Sequence, residues 1–282
     1  MRFFWKNGRY SAIGSDVTLR GAKVVITGAS SGIGRATAEA FAAAGADLVL
    51  AARRRSELED VAKHCTDMGV SAYAVVTDVS DPDSCRSMIA EAIRLLGSID
   101  VLVNNAGFAL YDRVESAEVD ELRQMMDTNY FGALHCTQAV LPGMLERRKG
   151  SIIFVSSITG IMGFSAMGGY SATKFAMNGL AEALRDEVWD RGIRISIICP
   201  GTTNTEFFAK ADRDKQPAAS RMILAMRPEQ VARAIVRAAQ SGRYRTILPL
   251  TAMVFMRLKE LMPRTAHFLM RRVSSLLGGS KR

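Results

Sequence analysis

The chain has 282 residues, of which 48% are apolar and 23% charged, with a formal charge of +9; such a composition belongs to an ordinary globular protein with one large core. No run of about 18 or more uncharged apolar residues occurs, so no spanning helix is expected, and the basic, aromatic stretch 1–10 lacks the apolar region of a secretory signal, which argues for a cytoplasmic protein. The positive charge is local, since nine Lys and Arg stand against the single acid Glu260 over 243–282, and a surface built for nucleic acid is not expected.

Residues 1–20 read as an N-terminal extension, 21–250 as one α/β domain and 251–282 as a basic helical C-terminal extension. The first core element is the apolar, β-branched run 22–27, which suits a buried parallel strand. Thr27-Gly28-Ala29-Ser30-Ser31-Gly32-Ile33-Gly34 follows and leads into an alanine-rich helix. In a strand–turn–helix context, glycines permit close approach to a pyrophosphate, which the free N–H groups and positive dipole end of the helix attract.

The second strand, 47–52, should end at the adenosine ribose. An acid about 20 residues past the glycines selects NAD, whereas an arginine nearby accommodates the 2′-phosphate of NADP. Here Arg53-Arg54-Arg55 follows Ala52 with no acid at the strand end, so NADP(H) is expected over NAD(H). Arg53 is the first choice for the phosphate, Arg54 the second, with Ser31 as a hydroxyl donor.

A helix over 56–68 and a strand over 70–77 lead to Asp78-Val79, where Asp78 faces the adenine amine or supports the turn at Ser80-Asp81-Pro82. The strand 99–103 closes on Asn104-Asn105-Ala106-Gly107, and a long helix from 117 to 147 contains Asn129 at a position that marks a kink. Strand 151–155 delivers Ser156-Ser157 at its carboxyl end, where open parallel sheets bind ligands. The helix 171–189 and strand 193–199 follow, the latter stopped by Pro200-Gly201. Alternation of this kind predicts a Rossmann-like, doubly wound parallel sheet in a single domain.

Tyr170 and Lys174 stand one helical turn apart on the same face. A free phenol titrates near pH ~10, and a fixed ammonium beside it favours the phenolate, so the pair suits general acid/base work. His64, His135 and His267 do not recur at metal-ligand spacing, and no metal is expected. Cys65, Cys85, Cys136 and Cys199 lack CxxC spacing and read as reduced packing residues.

Together these motifs resemble the classical short-chain dehydrogenase/reductase family over about 19–248. The resemblance implies Tyr170 as acid/base, Ser157 as the hydroxyl that orients the substrate oxygen, and Lys174 as both the neighbouring charge and a ligand of the nicotinamide ribose. It implies Asn129 as holder of a water that relays protons. The cofactor contacts it implies are Gly28, Ser30, Ser31, Gly32, Ile33, Gly34, Arg53, Arg54, Asp78, Val79, Asn105, Ala106, Gly107, Tyr170, Lys174, Pro200, Gly201, Thr203 and Thr205. Thr203 departs from the aliphatic residue common there. A homodimer or homotetramer through the long helices is implied as well.

Phe108, Leu110, Phe164, Met167, Phe207 and Phe208 are expected around a hydrophobic substrate, a ketone, aldehyde or alcohol of steroid, retinoid or lipid type, with Lys210, Arg221 and Arg227 near the lid leaving an acidic substrate open. Two short basic helices, 251–261 and 265–277, suit either an anionic membrane surface or packing on the enzyme. A non-catalytic, NADP-sensing protein of the same fold is the rival reading; an epimerase would need a further substrate domain.

Overall fold

The structure is a computed structural model that describes residues 18–208, 225–262, 264, 265 and 268. Almost all of the expected N-terminal extension, the side chains Lys210 and Arg221, and most of the second expected C-terminal helix lie outside these residues.

Seven strands form one parallel sheet: β1 (Lys23–Thr27), β2 (Asp47–Ala52), β3 (Ala72–Val76), β4 (Val101–Asn104), β5 (Gly150–Val155), β6 (Ile193–Pro200) and β7 (Arg245–Leu248). Their order is β3-β2-β1-β4-β5-β6-β7, and every pairing is parallel. The central strands β1, β4 and β5 are buried almost end to end and mostly apolar because both faces are covered. Val25, Val49 and Leu102 pack on one side, and Val24, Ile26, Leu48 and Leu50 on the other.

The helices divide accordingly. On one face lie α1 (Gly32–Ala43), α2 (Arg55–Asp67) and, late in the chain, Pro228–Ser241; on the other lie α3 (Pro82–Leu96), the helix Gly132–Arg147 and the helix Gly168–Glu187. We number Gly132–Arg147, Gly168–Glu187 and Pro228–Ser241 as α5, α6 and α7, with α4 (Val119–Met126) before α5 and α8 (Leu250–Leu261) after β7. This is the Rossmann-like, doubly wound arrangement expected from the alternation of elements. Strand order reverses between β1 and β4, and the crevice at that switch point, outside the carboxyl ends of the strands, is where such sheets bind ligands.

Three features differ from the sequence reading. The long helix 117–147 divides into α4, a π-helical turn (Asp127–Phe131) and α5; the kink expected at Asn129 is this wider turn, which holds Asn129 fully buried. The helix α7 escaped notice, although Pro228 in its first turn and Gly242 just past its end are ordinary helix boundaries. So did β7, four residues opening on an arginine, too short to show a period. All four cysteines are free and buried, as their spacing suggested, with the Cys85 and Cys136 sulfurs 3.5 Å apart between α3 and α5.

Candidate active site

The fully buried β5 ends at Val155 and delivers Ser156 and Ser157 to the edge of the sheet. Ser157 caps a 3-10 turn (Ile158–Gly160), its Oγ accepting from the Thr159 N–H at 3.1 Å. Opposite it, α6 places Tyr170 in its first turn and Lys174 one turn on, while Met177, Ala181 and Leu184 anchor the helix in the core. Lys174 Nζ donates to the Val155 carbonyl at 2.9 Å, so α6 is fastened to the last residue of the strand that presents Ser157. Asn178 Nδ2 donates to the Gly160 carbonyl at 2.9 Å and ties the following turn to the same helix.

Tyr170 and Lys174 are both buried, and burial disfavours the charged form of each. The Tyr170 phenol is held above its ordinary value by burial, against hydrogen bonds with Ser157 and Thr159 that favour the phenolate. Burial brings the Lys174 ammonium down to about 8. Lys174 Nζ lies 5.8 Å from the centre of the Tyr170 ring. The expected lowering of the phenol by the ammonium is therefore outweighed in the chain by itself, and Tyr170 stands at neutral pH as a proton donor.

Asn129 reaches this centre from the π-helical turn. Its Oδ1 accepts from the Phe108 N–H at 2.9 Å, and its Nδ2 donates to the Phe108 carbonyl at 2.9 Å and to Thr173 Oγ1 at 3.0 Å. Thr173 Oγ1 in turn donates to the Tyr170 carbonyl at 2.8 Å. The Asn129 side chain thus clamps the loop after β4 onto α6. Gly107 runs between them so closely that a Cβ there would meet Asn129 Oδ1 at 2.8 Å.

Phe108, Leu110, Phe164, Met167 and Phe207 gather with Ala109, Tyr111, Leu122, Met125 and Tyr170 in one packed apolar cluster. Phe207 meets Tyr170 edge to face with centroids 5.6 Å apart. The Phe208 side chain lies outside the described residues, and Arg227 is the residue before α7.

The second half of the crevice is the glycine turn. At Gly34 a Cβ would lie 2.0 Å from the Gly28 carbonyl oxygen, so the turn closes only with hydrogen there. Asn105 Nδ2 donates to the carbonyls of Thr27 at 2.9 Å and Gly28 at 3.2 Å. Thr27 Oγ1 accepts from the N–H groups of Asn105 at 3.0 Å and Ala106 at 3.1 Å, which locks the loop after β4 against the turn. Ser31 precedes α1 without capping it, and the first turn carries no acid, so the N–H groups and dipole at Gly32, Ile33 and Gly34 lack a side-chain anion. Thr205 lies against Gly32, close enough that a Cβ there would meet its side chain at 3.0 Å. Thr203 Oγ1 donates to the Gly201 carbonyl at 3.1 Å, next to Pro200 at the end of β6.

The arginines divide in a way that spacing did not reveal. Arg54, not Arg53, faces the turn: its Nη2 donates to Ser31 Oγ at 2.7 Å and Ser30 Oγ at 3.2 Å. Arg53 instead approaches Asp78, 4.0 Å away. Asp78 Oδ1 accepts from the Ser80 N–H at 3.0 Å and the Ser80 hydroxyl at 2.7 Å, so the turn-supporting role left open for it is realised. Val79 is buried in the core, and a Cβ on Gly132 would meet its side chain at 2.7 Å.

An uncapped helix start, a bare glycine turn and a guanidinium braced by two hydroxyls are donors that suit the phosphate groups of a dinucleotide. The short chain dehydrogenase family profile matches residues 22–216. The chain belongs to the classical short-chain dehydrogenase/reductase family. As a member it is a nucleotide-binding oxidoreductase acting on a small molecule. It is 38% identical over 235 residues to a 3-dehydrosphinganine reductase from Danio rerio, covering 80% of this chain and 70% of that protein. Among solved structures, it resembles a short-chain dehydrogenase/reductase from Burkholderia phymatum in complex with NAD, with TM-score 0.80 and 25% identity over 87% of this chain and 95% of the other. An alcohol dehydrogenase from Thermococcus sibiricus complexed with 5-hydroxy-NADP gives TM-score 0.72 and 27% identity over 80% and 94%.

Several residues that build the site were not singled out in the sequence: Thr27, Thr159, Thr173, Asn178 and Glu206. Thr159 sits two residues beyond Ser157 and Thr173 one before Lys174, but a threonine signals nothing until its partner across the fold is known.

Proposed function

We propose that the chain interconverts a ketone and a secondary alcohol on a hydrophobic small molecule, using NADP(H), with Tyr170 as general acid/base. The observation that carries this reading is the meeting of Tyr170, Ser157 and Lys174 at one edge of an apolar cluster. When bound in the crevice, NADP(H) supplies or accepts the hydride at the carbonyl carbon. Ser157 then orients the substrate oxygen, Tyr170 gives that oxygen its proton as negative charge develops, and Lys174 helps restore the phenol's proton. In the oxidative direction the same proton returns to Tyr170. Asn129 keeps Phe108 and α6 at the spacing this requires, and its place beside Lys174 suits the proton relay assigned to it.

Preference for NADP(H) rests on Arg54, Ser30 and Ser31 facing the glycine turn with no acid at the end of β2. The substrate proposed is a long-chain keto base of the 3-dehydrosphinganine type, supported by the Danio rerio relative and by the aromatic and methionine lining. No observation favours the non-catalytic alternative. The exposed Phe131 and Phe175 on neighbouring helical segments support a homodimer or homotetramer, and the exposed apolar side chains of α8 support contact with a membrane surface.

The test is NADPH oxidation by purified protein against 3-dehydrosphinganine and a panel of shorter ketones, steroid ketones and aldehydes. Turnover that rises with apolar chain length, and falls by at least about 10²-fold in Tyr170→Phe, is expected. Turnover unaffected by that substitution sinks the role of Tyr170, and preference for short polar carbonyls sinks the substrate class.

A further inference from the structure

The segment after β6 reaches the arginine that faces the glycine turn. Glu206, in the 3-10 turn Glu206–Phe208, places Oε2 3.3 Å from Arg54 Nη1. The same Nη1 lies 3.5 Å from Glu57 Oε1, while Nη2 is held by the Ser30 and Ser31 hydroxyls. One guanidinium therefore carries two hydroxyls on one side and two carboxylates on the other. Glu57 belongs to the first turn of α2 and is local to Arg54; Glu206 comes from 152 residues away and crosses the mouth of the crevice to reach it.

We infer that Glu206 sets the balance between NADP(H) and NAD(H) by competing for Arg54. This rests on the dinucleotide reading of the crevice. At the end of β2 a ribose 2′-hydroxyl is usually held by an acid, and β2 offers none. Glu206 supplies an acid at that place from the opposite wall. A 2′-phosphate would bind Arg54, Ser30 and Ser31 but must displace Glu206 or lie beside it, and two like charges there oppose each other. A free 2′-hydroxyl meets no such opposition and gains an acceptor. Glu206 thus works through Arg54 as a specificity-positioning residue. Its neighbours give the exchange a further reach: Thr205 rests on Gly32, and Phe207 lies against the Tyr170 ring, so a change at Glu206 is felt both at the glycine turn and at the substrate cluster.

The experiment measures equilibrium dissociation constants for NADPH and NADH, by calorimetry, in wild type, Glu206→Gln, Glu206→Asp, Arg54→Gln and the double variant Arg54→Gln/Glu206→Gln. Both side chains are largely exposed, so the variants should fold, and thermal midpoints verify it. Glu206→Gln is expected to raise the preference for NADPH over NADH by roughly three- to tenfold, a range set by the modest strength of exposed charge pairs, with the change shrinking at high salt. Glu206→Asp should stay near wild type. In the Arg54→Gln background the effect of Glu206→Gln should vanish. An equal change for both cofactors, an unchanged ratio, or an effect that persists without Arg54 overturns the inference while leaving the enzyme reading intact. Binding of neither cofactor by the wild-type chain overturns both.

Discussion

At Lys174 and Tyr170 burial decides the chemistry. An ammonium brought down to about 8 and a phenol held above its ordinary value share a site in which Lys174, not Tyr170, gives up the first proton. Folding has lowered the lysine, so its ammonium persists up to about pH 8 and is lost above it. Reduction draws on that proton to restore the phenol, and oxidation needs the neutral amine to take the phenol's proton. Carbonyl reduction should therefore fall, and alcohol oxidation rise, as pH passes upward through about 8. Lys174→Met should remove this step from both pH–rate profiles; a step that survives in the variant assigns it elsewhere. The identities of Tyr170, Lys174 and Ser157 were legible because their types and spacing carry chemistry. Which arginine faces the phosphate site was not, since Arg53 and Arg54 are adjacent and the turn after β2 alone decides which points inward.

At the scale of elements, the site is a junction of β4, β5, the π-helical turn and α6, held by side-chain to main-chain hydrogen bonds. Asn129 satisfies both main-chain groups of Phe108 at once. Asn129→Ala leaves both main-chain groups of Phe108 without that partner and removes the amide donor to Thr173, at a cost of about 1–3 kcal/mol for each buried group left unpaired. We expect a lowered thermal midpoint together with faster amide exchange in the loop 105–111, whereas exchange in α1 and α2 stays as in wild type. Uniform loss of protection across the sheet would show that Asn129 holds the whole domain rather than this junction. The six strands, the alanine-rich helix and the helices 56–68, 171–189 and 251–261 named from the sequence recur with small shifts at their ends, because apolar runs and glycine or proline boundaries mark them clearly. The π-helical turn was visible only as a misplaced asparagine, because an extra residue in a helix leaves no mark on composition. The helix α7, by contrast, carried legible boundaries at Pro228 and Gly242.

At the scale of the molecule, α8 starts directly after the edge strand β7, on the same rim as the crevice, where Pro249 lies beside Gly201. Leu250, Val254 and Leu261 are exposed and fall on one helical face, and Met262 and Phe268 beyond them are exposed as well. The sequence adds nine Lys and Arg against one acid over 243–282. No described helix is long and apolar enough to cross a membrane, and an apolar face flanked by positive charge suits the surface of an anionic bilayer. Wild type should co-sediment with vesicles containing phosphatidylserine, less so with rising salt, and only weakly with neutral phosphatidylcholine vesicles. Val254→Glu with Leu261→Glu should reduce the binding about tenfold while leaving turnover of a short, soluble ketone unchanged. Equal binding to neutral vesicles, or none to either, rejects the surface role.

The amino-acid order by itself pointed to the nucleotide-binding half and to the groups proposed to react, because glycine turns and a Tyr–Lys pair at helical spacing are local patterns whose chemistry travels with them. It determined the fold class too, through alternating apolar strands and helices. Tertiary structure decided what depends on contacts between distant segments: the inward turn of Arg54, the crossing of Glu206 to meet it, the clamp from Asn129 to Phe108 and Thr173, and the seventh strand. Each arises where a short or polar segment finds its partner only after the sheet has formed, and no local pattern encodes a partner that lies 21 to 152 residues away.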